Sequence, residues 1–165
     1  MGYTTEFEGQ FDLDDQLTEA QTAYLKAFSN TRRMKRDAEI VETFEDPIRK
    51  AAGLPVGKEG EYFVVAGGFA GQDRDKSIVD YNNPPRTQPG LWCKWVPNYE
   101  ANGIEWNGAE KFYYYVEWLE YIIDNFLKPW GHILNGRVRW RGEEMSDIGV
   151  ITVKNNKVSV KKVKF

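Results

Sequence analysis

The run Leu134-Asn135-Gly136-Arg137-Val138-Arg139-Trp140-Arg141 decides how the rest of the chain is read. Leu134, Gly136, Val138 and Trp140 fall in one phase and the three arginines in the other, the period-two pattern of a strand with one buried and one wet face. The spacing predicts one strand over 132–141, with a hairpin at Asn135-Gly136 as the competing reading. Downstream, Ile148, Val150 and Thr152, or Ile151 and Val153, mark a further strand. Asn155-Asn156 then fits a tight turn into Val158, Val160 and Val163. Upstream, residues 4–13 alternate as well: Phe7, Phe11 and Leu13 share a phase with Gly9, while Glu6, Glu8, Gln10 and Asp12 take the other.

Two helices stand between these strands. Thr18-Glu19-Ala20-Gln21 fits a capping box, and Ala20, Ala23, Tyr24, Ala27 and Phe28 give the inner stripe of a helix running to about Met34. Phe112, Val116, Leu119, Ile123 and Phe126 give a second, from about Ala109 to Leu127, stopped by Pro129. Asp46-Pro47 and Gly53 bracket a short one. Glu61–Ala66 and Leu91–Val96 read as strands, and Ala101-Asn102-Gly103 turns into Ile104-Glu105-Trp106. The sum is α+β: a single antiparallel sheet of five to seven strands with two main helices packed on one face, in one domain over 1–165. Residues 67–90 form a loop long enough to be read as functional.

Composition narrows the function classes. The chain has 165 residues, 22 Lys and Arg against 25 Asp and Glu, and a net charge of −3, which disfavours a general binder of DNA. One Cys and one His exclude an internal disulfide and the usual zinc cages, so no metal and no cofactor is expected. The apolar window Phe112–Leu127 is broken by Glu117, Glu120 and Asp124, so no membrane span is expected. A free thiol without an apolar leader points to the cytoplasm. Aromatic residues are abundant, at 15%.

Constellations for catalysis are weak. Asp73-Arg74-Asp75-Lys76-Ser77 opens like a calcium loop, but Ile78 and Pro84 stand where its glycine and bidentate carboxylate belong. Gly67-Gly68-Phe69-Ala70-Gly71 lacks the lysine of a phosphate loop. Cys93 shares a phase with Trp95 and reads as core. Cations give the stronger signal. Arg32, Arg33, Lys35 and Arg36 close the first predicted helix, where they would complement its dipole. Arg137, Arg139 and Arg141 project from one strand face, either to pair with an acidic stripe of Glu6, Glu8 and Asp12 or to grip phosphates. Tyr81, Trp92, Trp106 and Tyr113 supply flat faces for a base near the long loop. These ten residues, the six arginines and four aromatics, form the candidate binding set.

The strings Gln88-Pro89-Gly90-Leu91-Trp92-Cys93-Lys94-Trp95, Trp106-Asn107-Gly108-Ala109-Glu110-Lys111-Phe112-Tyr113 and Trp140-Arg141-Gly142-Glu143-Glu144-Met145-Ser146-Asp147-Ile148-Gly149 carry a likeness across nearly the whole chain. In these the chain resembles a widespread family of small phage, prophage and bacterial proteins, mostly without assigned function. The resemblance implies no catalytic residue. It is compatible with the class of small oligomeric phage proteins that sequester the cyclic nucleotides of bacterial immunity. The expected function is therefore a non-enzymatic, homo-oligomeric binder of a small anionic ligand, a cyclic dinucleotide being the leading candidate. Two alternatives stay open: an enzyme acting on a nucleotide or small anion through Asp73, Asp75, Asp80 or Glu143 and Asp147, and a protein–protein inhibitor of a host defence complex.

Overall fold

The alternating segments pair edge to edge, with their apolar residues gathered on one face. The structure, a computed structural model, describes residues 2–65 and 74–163. In chain order these form β1 (Glu6–Leu13), α1 (Glu19–Ser29), β2 (Lys35–Arg36), α2 (Ala38–Val41), α3 (Pro47–Ala51), β3 (Ile78–Asp80), β4 (Trp95–Pro97), β5 (Gly103–Trp106), α4 (Tyr115–Ile122), β6 (Leu134–Arg141), β7 (Ile148–Lys154) and β8 (Lys157–Lys162). Six strands make one antiparallel sheet in the order β4-β5-β1-β6-β7-β8, and β2 and β3 make a small second sheet. The architecture is α+β, with α1 and α4 as the two long helices. Contacts gather into two compact units, Met1–Leu17 with Lys94–Phe165 and, inserted between them in sequence, Thr18–Cys93.

The first unit holds the six-stranded sheet. Strand β6 runs unbroken through Asn135-Gly136, so the hairpin does not form there; Gly136 takes φ 130° instead. The twin asparagines do turn, both with positive φ, as a two-residue hairpin requires. One sheet face is buried: Phe11, Trp95, Ile104, Leu134, Val138, Trp140, Ile151 and Val153. Helix α4 closes over it, its Tyr115 carbonyl accepting the Trp95 indole N–H at 2.8 Å. The Phe7 ring meets Trp95, Trp106, Phe112 and Tyr115 at 5.4, 5.4, 5.7 and 5.0 Å, mostly edge to face.

Helix α4 starts later than its apolar stripe predicts. Lys111 and Tyr114 sit at φ 62° and 58°, in the left-handed region, and the Asn107 side chain accepts the Ala109 amide. Residues 109–114 are therefore a folded loop, although Phe112 is still buried. After Ile122 the chain continues as a π-helical turn, Ile123–Leu127, with the Lys128 amide donating to the Ile123 carbonyl.

The second unit is built of short elements. The predicted capping box closes α1, Thr18 and Gln21 each accepting the other's amide. The helix stops at Ser29, five residues short of Met34: Asn30 caps it, and the Thr31 hydroxyl donates back to the Ala27 carbonyl. Arg32, Arg33 and Arg36 are thus not the last turn of a helix, and the dipole has no claim on them. Asp46 flanks α3 without capping it; its carboxylate takes the Arg49 guanidinium instead. Residues 61–65 are turn and irregular chain rather than strand, because Gly57 and Gly60 adopt positive φ and fold Tyr62 and Phe63 back onto Val56 and Gly60. Leu91–Lys94 stay outside β4, their carbonyls at Leu91 and Cys93 engaged by Arg33 and Ser29. Val41, Val56 and Phe63 form a small apolar core.

Candidate anion-binding surfaces

The nominated cations separate into two settings. On the sheet, Arg137, Arg139 and Arg141 are all exposed. The register puts Arg139 opposite Glu8, Arg141 opposite Glu6 and Arg137 opposite Gln10; Asp12 faces Asn135. Each of the first two arginines therefore has a carboxylate across the strand pair, which lowers the potential an anion would meet. Trp106 lies at the rim of the buried face, its indole N–H on the Ala109 carbonyl. Tyr113 is exposed and its hydroxyl accepts the Tyr3 amide.

In the second unit the cluster 32–36 divides. Arg33 and Arg36 point inward, 2% and 3% exposed. Arg33 donates to the Glu61 carbonyl at 2.7 Å and lies over the Phe28 ring. Arg36 pairs with Asp75 at 2.8 Å, donates to Ser77 and lies over Phe63. Arg32 and Lys35 stay near the surface, half-buried, with Lys35 paired to Glu59 at 3.1 Å. Trp92 is half-buried as well.

Pairing of β2 with β3 brings Arg32 to Tyr81. Lys35 sits opposite Asp80, and the Lys35 and Asp37 amides donate to Asn83 and Ser77. Arg32 Nε then donates to the Tyr81 carbonyl at 3.1 Å, with its guanidinium carbon 4.4 Å from the Tyr81 ring centroid. Arg74, not among the ten sequence candidates, reaches the same ring at 4.2 Å. The charged look of 73–77 concealed it, since such a run reads as solvated. Two guanidinium groups are held against one aromatic ring, and most of their N–H donors are uncommitted to that contact.

The acids nearby are occupied. Burial pushes the Asp75 carboxyl up, but the bonds from Ser77 and Arg36 outweigh it and its pKa lies below the ordinary value. The Asn83 side chain and the Asn82 amide hold Asp80 low. Glu59 is held low chiefly by the Arg86 amide and then by Lys35. The other acids considered for catalysis are tied too. Asp147 accepts Tyr3 at 2.7 Å and Trp140 at 2.9 Å, and Glu143 accepts the Thr4 amide. Asp73 and the Gly67–Gly71 segment lie outside the described residues. Among the described residues no cluster of His, Cys, Asp and Glu is placed to hold a metal, and no helix is long and apolar enough to cross a membrane. A cavity of about 500 Å³ beside α3 is lined by Phe44, Ile48, Phe63 and Val65 with Asp46 and Asp75, the wrong sign for an anion.

The fold and the Arg32–Tyr81–Arg74 cluster define an α+β protein with a compact cationic site. No protein-family model, curated protein or solved structure matches the chain.

Proposed function

We propose that the protein is a non-enzymatic binder of a small anionic ligand of the nucleotide class, captured one for one at Arg32, Arg74 and Tyr81. One observation carries the reading: two guanidinium groups converge on a single ring while the neighbouring carboxylates are committed to other donors. Guanidinium forks grip phosphate oxygens bidentately, and their flat faces stack on bases. The resemblance to phage proteins gives this proposal its specific form, a sponge that withdraws a cyclic oligonucleotide immune signal.

A cyclic dinucleotide panel in thermal-shift and calorimetric titrations tests it. At a hundred times Kd the ligand should raise Tm by roughly 5–10 °C and be recovered intact after the protein is denatured. Arg74→Glu, at an exposed side chain, should remove the shift while the circular dichroism stays unchanged. Silence across the panel, or binding that ignores Arg74→Glu, overturns the assignment. Turnover of the ligand sinks the sponge and favours an enzyme.

A further inference from the structure

The open face of the large sheet is divided by charge along a line between two neighbouring strands. On β1 it carries Glu6, Glu8 and Asp12, and Glu105 extends the acidic side on β5. Arg137, Arg139 and Arg141 on β6 begin the basic side, and Lys154 on β7 with Lys157 and Lys161 on β8 continue it. Ile148, Val150 and Thr152 lie between those cation columns, half-buried. The arginines and the β1 acids are exposed, and Arg137, Arg139 and Arg141 form no ion pair among the described residues.

We infer that this face binds a second copy of the same chain. A two-fold axis lying in the interface, parallel to the strands and between β1 and β6, exchanges the two sides. Glu8 pairs with Arg139 across the strand boundary within one copy, at the same height on the sheet. The axis therefore lays Glu8 on Arg139 of the second copy and Glu6 on its Arg141, and each contact occurs twice, as an isologous interface requires. An axis across the strands would stack acid on acid and cation on cation. Charge thus selects one of the two in-plane packings.

The footprint sets the strength. Six strands at ~4.8 Å by about seven residues at ~3.3 Å give a flat area of at most about 650 Å², below the ~800 Å² per partner of a standard stable interface. With most contacts charged, the dimer should be weak and sensitive to salt, because the Debye length falls from ~10 Å at 0.1 M to ~3 Å at 1 M. This inference uses none of the residues of the ligand site, so either can fail alone.

Analytical ultracentrifugation with two charge-reversed pairs tests it. The unaltered chain should show a monomer–dimer equilibrium at low salt whose Kd rises at least tenfold at 1 M salt. Glu6→Arg with Glu8→Arg should be monomeric, and so should Arg139→Glu with Arg141→Glu. An equimolar mixture of the two variants should recover a heterodimer, since at positions 6, 8, 139 and 141 one now presents only cations and the other only acids. That recovery also shows that both variants fold. Should either double variant misfold, Glu8→Gln and Arg139→Gln should each weaken the dimer about tenfold. A chain that is monomeric at low salt, a dimer that both variants retain, or a mixture that stays monomeric overturns the inference.

Discussion

The two units use arginine in opposite ways. In the sheet unit the backbone satisfies itself: eight-residue strands β1 and β6 pair along their whole length, and arginine is left to project outward. In the inserted unit the strands are two and three residues long, and the helices other than α1 run four and five. Buried carbonyls there find donors in side chains. Arg33 serves Glu61, and Arg49 serves Leu54 at 2.6 Å. Phenylalanine rings lie beneath Arg33 and Arg36. A guanidinium with five donors and a stackable plane can replace a missing ladder, and that is what separates a structural arginine from one free to bind.

The largest effect should come from breaking that substitution. Arg49 and Asp46 form a buried pair at 2.8 Å, with side chains 7% and 1% exposed. Arg49→Ala leaves the Asp46 carboxylate buried and unpaired and the Leu54 carbonyl without its donor. The expected loss is about 3–5 kcal/mol in urea denaturation. A loss below 1 kcal/mol would show that the arginines of this unit are ornaments on an apolar core, and the comparison would collapse.

A steric change probes the other unit, whose interior is rings. A Cβ on Gly149 would run into the indole of Trp140, its partner across β6 and β7. Gly149→Ala should cost about 1–3 kcal/mol by overpacking. Tryptophan fluorescence should shift with it, because Trp140 must move. An unchanged midpoint and spectrum would mean that the ring has space to yield.

How much of this could be read from the chain depends on whether a signal is local in sequence. Alternation around Trp140, the Thr18–Gln21 box and the Asn155-Asn156 turn are local patterns whose partners lie within a few residues, and all are present. The inward turn of Arg33 and Arg36 depends on Glu61, Gln88, Asp75 and Ser77, tens of residues away, and no local period encodes it. Arg74 lies only seven residues before Tyr81 and was hidden instead by its charged surroundings, which read as a solvated run. The late start of α4 was hidden differently: Lys111 and Tyr114 take left-handed φ without the glycine that would announce it. Of the ten nominated residues, Arg32 and Tyr81 meet directly, and the sheet arginines form a row along β6.

Acid titration should sharpen the contrast by a smaller amount. Burial raises the Asp147 pKa, but hydrogen bonds from Trp140 and Tyr3 outweigh it, so the folded value lies below the ordinary 3.8. A carboxyl held low binds fewer protons folded than unfolded, so its stabilisation is complete above the unfolded pKa and is lost as pH falls through the folded one. Asp147→Asn should cost on the order of 1 kcal/mol at neutral pH after solvent screening. The difference from the unaltered protein should shrink as the pH drops below about 3.8. A gap that persisted in acid would assign the loss to packing of the side chain rather than to its charge.

Arg137→Ala should do least. Arg137 is exposed, faces Gln10 and Thr152 across its two neighbouring strands, and forms no ion pair among the described residues. Its backbone bonds survive the change, no carbonyl loses a side-chain donor, and the inner face beneath it is built from Val138 and Gly136 instead. The expected change in unfolding free energy is within about 0.5 kcal/mol, as for ordinary surface positions. Set beside Arg49→Ala in the same urea titration, it isolates setting from residue type: one guanidinium replaces a missing hydrogen-bond ladder and the other only borders an intact one. A loss at Arg137 comparable to that at Arg49 would mean that the sheet, too, depends on its arginines.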